Sequence, residues 1–313
     1  MPLSAHLRTI WPVVRRVLGP PAAPPGVPWA VEVPDAVVGS VRLSGRLQVV
    51  PGSSQLLILV HGLGGSSESS YMLHTARVAD DLGLSTLRLN LRGADRRGGD
   101  LYHAGLSEDL RWVLASRELA SFDALLLFGF SLGGHTCLRF ATEVEDSRLR
   151  AVAAASTPLD LDHSVAGIDR PSGWLYRRYV LAGLCEMYAE VAARRELPVP
   201  LAEVRKIRTL RDWDRYTVVP RFGFDSPEDY YRRAGVAGRL GELRVPALLV
   251  AAEHDPMVPK DSILRGLHGA SELFTLRWTH RGGHLAFPAR LDLGEDAPRG
   301  LWGQVVGWLR RQR

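Results

Sequence analysis

Cysteine and lysine are both scarce in this 313-residue chain, with two of each: Cys137 and Cys185, Lys206 and Lys260. Two thiols without metal-ligand spacing cannot make a disulfide scaffold, so the chain suits a reducing compartment and a cytoplasmic location is expected. Both cysteines read as small core residues. Long apolar runs are missing too. Leu56–Val60 and Ala124–Phe128 are five residues long and no run exceeds six, against the ~20 that a bilayer-crossing helix needs, so no transmembrane helix is expected. The 39 basic and 34 acidic side chains give a net charge of +5, without the Lys/Arg blocks that track a phosphate backbone, and nucleic acid is not an expected partner. G-K-[ST] is absent and G-x-G-x-x-G is not matched, which disfavours nucleotide binding. No ligand cluster stands out for a metal ion. Neither a cofactor nor a metal is expected.

What is present is the material of a globular chain: 46% apolar and 23% charged residues, enough for a core and without a disorder signature. The length favours one elaborated domain carrying an insertion. Residues 1–18 alternate apolar groups (Leu7, Ile10, Trp11, Val14, Val17, Leu18) with Arg8, Arg15 and Arg16, as in a short amphipathic helix broken at Pro12. Those charges argue against a secretory signal. The segment is expected to pack on the domain surface, the alternative being a weak peripheral contact with a membrane. Gly19–Pro28 is dense in proline and reads as an extended linker, so residues 1–28 are set apart and the folded domain is expected over residues 29–313.

Within that domain, short apolar runs alternate with helical segments. Val41–Val50, Leu56–Val60, Leu84–Asn90, Ala124–Gly129, Leu149–Ala155, Val245–Ala252 and Leu273–Trp278 have the length and two-sided apolarity of buried strands in a mainly parallel sheet. Leu106, Leu110, Val113 and Leu114 share one helical face, and Tyr71, Val78, Ala79 and Leu82 another. Trp302, Val305, Val306 and Leu309 mark a closing helix. Strand then helix, repeated, predicts an α/β chain with a mostly parallel, doubly wound sheet. Between Ala155 and Val245 no comparable strand occurs, while Tyr176, Val180, Leu184, Met187, Tyr188 and Val191 keep helical spacing. A helical cap is expected there, at about 158–240.

The chemistry concentrates at three strand ends. Gly129-Phe130-Ser131-Leu132-Gly133 follows an apolar strand and opens a segment that can be helical, the context in which G-x-S-x-G forces its central serine into a strained, sharply turned backbone. A serine hydroxyl is a weak nucleophile near neutral pH and needs a histidine base, with an acid to fix that base's tautomer. In a doubly wound chain the acid and then the base follow the serine on loops after later strands. Glu253-His254-Asp255-Pro256 follows one such strand and His280-Arg281-Gly282-Gly283-His284 another. Asp255 is preferred over Glu253 because it lies deeper in its loop, before a proline that stiffens the turn. His284 is preferred over His280 because Gly282-Gly283 lets its loop swing the imidazole back. His61-Gly62-Leu63-Gly64-Gly65, after Leu56–Val60, can turn backbone N–H groups toward the same cleft. The Leu63 and Leu132 amides are the expected oxyanion donors. His61 is expected to orient its loop and His135 to make a structural hydrogen bond.

These residues resemble the α/β-hydrolase superfamily and, more narrowly, its YheT-like branch with the related abhydrolase-domain acylglycerol and phospholipid lipases. The resemblance spans roughly Val31 to the end. It is carried by HGLGGSSESSY (61–71), RLNLRGA (88–94), GFSLGGH (129–135), WDRYTVVPRFGFDSPEDYYRRAG (213–235), VPALLVAAEHDPMVP (245–259) and HRGGHLAF (280–287). It implies an α/β-hydrolase fold, Ser131 as nucleophile, Asp255 as acid, His284 as base, and Leu63 and Leu132 as oxyanion donors. The chain departs from the branch at His135, where asparagine is expected, and at Ala234-Gly235, where serines are common.

The function expected is hydrolysis of small-molecule acyl esters through a serine acyl-enzyme. Acyl transfer by the same residues and a non-catalytic module for a hydrophobic ligand are the alternatives. Trp174, Tyr176, Tyr179, Phe222 and Phe224 are candidates for an acyl-binding wall or, equally, for core packing.

Overall fold

The computed structural model describes residues 24–312, so the amphipathic segment expected over residues 1–18 lies outside the described residues. Eight strands form one sheet in the order β1-β2-β4-β3-β5-β6-β7-β8. They are β1 (Val27–Asp35), β2 (Gly39–Gln48), β3 (Gln55–Val60), β4 (Ser85–Asn90), β5 (Ala124–Phe130), β6 (Leu149–Ala155), β7 (Ala247–Ala252) and β8 (Phe274–Thr279). β1 and β2 make an antiparallel hairpin, β2 also runs antiparallel to β4, and every other pairing is parallel. The seven expected strands are all present. β1 is additional, and it begins two residues before the expected domain start at Trp29. Its Pro28 and Pro34 argue against a strand in the sequence. They are tolerated because β1 is the sheet edge, where a missing N–H disturbs at most one ladder.

The two-sided apolarity of the strands has a direct cause. Side chains alternate across a strand, so Leu56, Ile58 and Val60 enter one core layer while Leu57 and Leu59 enter the other. In β5, Leu125 and Leu127 likewise face away from Leu126, Phe128 and Phe130. Helix α1 (Ser70–Asp81) and a closing helix (Leu301–Arg311) cover one face, the latter through Leu301, Val305, Val306 and Leu309. Helices α2 (Glu108–Leu114) and α3 (Leu132–Glu143) cover the other, α3 burying Cys137 in the core. Each such buried leucine or valine is worth about 1.5–3 kcal/mol relative to exposure.

Between β6 and β7 the chain leaves the sheet as α4 (Leu161–Asp169), α5 (Trp174–Ala192), several short helical turns and α6 (Pro227–Ala234). The six buried residues of α5 are Tyr176, Val180, Leu184, Met187, Tyr188 and Val191, the same set that helical spacing selects. Asp160 caps α4 by accepting from the His163 N–H, and Ser226 caps α6 by accepting from the Asp229 N–H. This helical layer is tied to the sheet by buried charge. Arg92, after β4, contacts Asp35, Asp100 and Asp109 at 2.6, 3.1 and 2.6 Å. Arg221 reaches Asp100 and Asp35 at 2.6 and 3.0 Å, and Arg195 reaches Asp100 at 3.2 Å. Three arginines thus face three carboxylates, so each buried charge has a partner. Asp109, in the first turn of α2, is one of these partners.

Candidate active site

Ser131 ends the turn from β5 into α3 with φ 52° and ψ −119°, outside the regions open to an unstrained L-residue. The strain holds because the turn has no room to relax. A Cβ on Gly133 would lie 2.3 Å from the His61 carbonyl oxygen, and one on Gly129 would lie 2.4 Å from the Gly133 oxygen. Only glycine lets the turn, the helix and the neighbouring loop approach this closely. The Ser131 N–H donates to the Ala155 oxygen (2.9 Å), fixing the turn to the end of β6.

The loop after β3 meets this turn. A Cβ on Gly62 would touch the Ser131 Cβ at 3.1 Å, so the two backbones are in van der Waals contact. Nearly every amide of the loop is committed. Gly62 N–H donates to Tyr71 Oη (3.0 Å), Gly64 N–H to Tyr102 Oη (2.7 Å) and Gly65 N–H to the Gly62 oxygen (3.0 Å). Ser66 and Ser67 N–H donate to Ser69 Oγ and Asn90 Oδ1. The Leu63 N–H has no hydrogen-bond partner among the described residues. Leu132 is the first residue of α3, where the helix itself offers its N–H no acceptor. The two expected oxyanion donors are therefore amides that the described residues leave open.

Asp255 follows β7 and is 2% exposed. Its Oδ1 accepts from the Met257 and Val258 N–H groups at 2.8 and 3.0 Å, a turn that orients the carboxylate. His284, after β8, places Nδ1 2.9 Å from Asp255 Oδ2 and 3.2 Å from Oδ1. An ionised carboxylate only accepts, which puts the imidazole proton on Nδ1 and leaves Nε2 as the basic nitrogen. The His284 loop is pinned rather than free to swing. Gly283 and Ala286 exchange backbone hydrogen bonds, and the Leu285 N–H donates to Ser156 Oγ (3.2 Å) at the end of β6. A Cβ on Gly282 would meet Ala252 at 3.0 Å, so that glycine serves close packing. Since Ala155 holds Ser131 and Ser156 holds the His284 turn, both segments are anchored to consecutive residues of one strand end.

Glu253 and His280 form a second acid–histidine pair, with Oε2 2.8 Å from Nδ1. Its imidazole is 82% exposed against 9% for His284, so only the Asp255 pair has the burial a tautomer-fixing contact requires. His61 is buried between the Gly62 oxygen (2.8 Å from Nδ1) and the Leu91 N–H, which donates to Nε2 (3.1 Å). Burial lowers its pKa to about 4. It orients the loop, as expected. His135 also has a structural place: burial lowers its pKa, and its Nδ1 and Nε2 lie 2.8 and 3.2 Å from the Pro158 and Ala234 oxygens, stapling α3 to α6.

Tyr71, Tyr102 and Ser156 are the supporting residues that sequence reasoning does not assign to the site. Tyr71 lies within the motif at 61–71, but nothing in the sequence pairs its hydroxyl with Gly62. The aromatics weighed for an acyl wall divide. Phe222 and Phe224 pack around His103 with Tyr230, and Tyr176 is buried in the cap. Trp174 and Tyr179 are exposed. A groove of about 590 Å³ runs beside the loop at Gly64–Ser69 and includes Tyr179, but Ser131, Asp255 and His284 are not in its wall.

A family model described as alpha/beta hydrolase fold matches residues 55–287. Among curated proteins, YheT of Escherichia coli (strain K12), which bears an esterase's name, is 28% identical over 240 residues, covering 74% of this chain and 70% of its own. Phospholipase ABHD3 of Mus musculus is 27% identical over 241 residues, or 74% of this chain and 58% of its own, so the chain spans little more than half of that relative. Among solved structures, the esterase Pf2001 of Pyrococcus furiosus superimposes with a TM-score of 0.54 at 18% identity, covering 86% of this chain and 91% of the other. That likeness is one of fold.

Proposed function

We propose, from the premise that this chain belongs to the α/β-hydrolase fold family, that it is a serine hydrolase of carboxylic esters acting through Ser131, His284 and Asp255. The observation that carries this reading is the 2.9 Å contact between His284 Nδ1 and the buried Asp255 carboxylate, with the His284 loop anchored to the same strand end as the strained Ser131 turn. The relatives named as esterase and phospholipase support the ester as the bond attacked.

On this reading Ser131 Oγ adds to the ester carbonyl carbon while His284 Nε2 takes its proton. The carbonyl oxygen gains the negative charge, and the Leu63 and Leu132 N–H groups stabilise it; each such donor contributes about 3–4 kcal/mol to lowering the barrier. Asp255 holds the imidazolium that has formed. Collapse of the tetrahedral intermediate breaks the bond to the alcohol, which leaves with the proton from His284, and Ser131 carries the acyl group. Water then adds to the acyl-enzyme with His284 again as base, and the acid is released with Ser131 restored.

The test is turnover of p-nitrophenyl esters of increasing chain length. Wild-type protein should hydrolyse the series with an optimum that reports pocket depth, and Ser131→Ala should lower kcat by about 10⁴-fold or more. No turnover over the whole panel, with a melting temperature raised by a fatty acid, would instead identify a binding module.

A further inference from the structure

The two turns that carry Asp255 and His284 also bring together three other potential ligands, of which Glu253 and His254 are partly buried and His280 is exposed. In the β7–β8 ladder Ala252 lies opposite Thr279, and the Glu253 N–H continues the ladder by donating to the Thr279 oxygen (3.0 Å). The next residues on each chain, Glu253 and His280, therefore leave the sheet side by side. His254 follows Glu253, and its ring centroid lies 5.7 Å from that of His280. One donor atom from each of Glu253, His254 and His280 falls within 4.8 Å of the other two. Glu253 and His280 directly follow paired strand ends and His254 is adjacent to Glu253, so little order has to be imposed to bring them to a common centre.

We infer that Glu253, His254 and His280 form a site for a divalent transition-metal ion of the zinc class. Two imidazoles and one carboxylate select Zn²⁺ over Mg²⁺ or Ca²⁺, which prefer all-oxygen shells. Small adjustments suffice, because nitrogen and oxygen ligands stand about 2.0–2.2 Å from zinc. Glu253 is already divided between two uses: Oε1 contacts Lys260 Nζ at 2.9 Å and Oε2 contacts His280 Nδ1 at 2.8 Å. An ion takes over the second contact, with Oε2 as a monodentate ligand, while Lys260 keeps Oε1. If His280 ligates through Nδ1, its single proton resides on Nε2, which its exposure allows. Three protein ligands leave a coordination position for water. Sequence spacing conceals this site because His280 comes from the strand after the one that delivers Glu253 and His254.

The ion would join the loop carrying Asp255 to the loop carrying His284. Its first consequence is thermodynamic: an ion that binds only the folded chain raises the melting temperature with its concentration. The binding does not depend on the proposed ester chemistry and is measured apart from it.

Titration of the full chain with Zn²⁺ in a calorimeter, after treatment with a chelator, tests the site. One Zn²⁺ per chain is expected at this site, together with a rise in melting temperature and no comparable binding of Mg²⁺. His254→Ala and His280→Ala should each weaken that binding about tenfold or more and abolish the rise, whereas His284→Ala should retain both. Absence of Zn²⁺ binding to wild-type protein, equal affinity for Mg²⁺, or Zn²⁺ binding that survives in the His254→Ala, His280→Ala double variant would overturn the assignment. Loss of binding in His284→Ala with retention in His280→Ala would place the ion at the Asp255–His284 pair instead and overturn it equally.

Discussion

Ser131 occupies a strained backbone conformation with φ at 52°, and His284 is locked to a carboxylate that is itself held by two amides. On the proposed reading such preorganisation concentrates function in few atoms, so single-atom changes should separate activity from folding. Asp255→Asn keeps the shape but offers an N–H where His284 needs an acceptor. The expected result is a fall of about 10⁴-fold in kcat with little change in circular dichroism; activity within tenfold of wild type would remove Asp255 from the mechanism. A second residue-scale prediction concerns acid. Burial holds His61 at about 4, below its ordinary 6.5, so the unfolded chain binds more protons than the folded one between those values. Its contribution is complete above pH 6.5 and declines as pH falls toward 4, amounting to about 2 kcal/mol lost between pH 7 and 5. Urea midpoints should fall over that interval, and less so in His61→Gln; equal slopes in the two proteins would contradict the burial argument. At this scale the sequence is most readable where chemistry is local. The places of Ser131, Asp255 and His284 after β5, β7 and β8 are readable from the glycines, prolines and strands around them. Tyr71, Tyr102 and Ser156 do not, because a hydroxyl that braces a distant amide leaves no local pattern.

At the Ser131 turn, elements meet backbone to backbone through glycine. The junction of β3, β5 and α3 is so close that a methyl group on Gly133 would stand 2.3 Å from one backbone oxygen and 2.4 Å from another. Gly133→Ala should therefore destabilise the protein by about 3 kcal/mol or more, at or above the top of the usual overpacking range, and displace the Leu132 amide. Chemical denaturation measures the first effect; a midpoint equal to wild type would mean that the junction is looser than described. Element type was legible wherever burial is two-sided or amphipathic: the parallel strands by their apolar runs, and α5 by the spacing of Tyr176 to Val191. β1 was not, since Pro28 and Pro34 oppose strand propensity and only tertiary context reveals that β1 lies at the edge.

At the scale of the whole molecule, the helical insertion is fastened to the sheet by charges that are out of water. Asp100 is fully buried and receives Arg92, Arg195 and Arg221, of which Arg195 and Arg221 come from the insertion. Breaking one partner leaves a buried carboxylate undercompensated, so Arg221→Ala should cost about 3–5 kcal/mol. Equilibrium unfolding in urea measures this loss, and a change below about 1 kcal/mol would show that the tie is replaceable by water. No helix among the described residues is long and apolar enough to cross a membrane. This network was illegible in the sequence, where its acids and arginines are scattered from Asp35 to Arg221 and look like ordinary surface charge.

The central claim is that one hydroxyl, on Ser131, is the nucleophile. Incubation with a fluorophosphonate followed by intact-mass measurement tests it without any knowledge of the substrate. Wild-type protein should gain a single adduct that peptide mapping places on Ser131, and folded Ser131→Ala should gain none. An adduct that persists in Ser131→Ala, or a folded wild-type protein that stays unlabelled, would contradict the account.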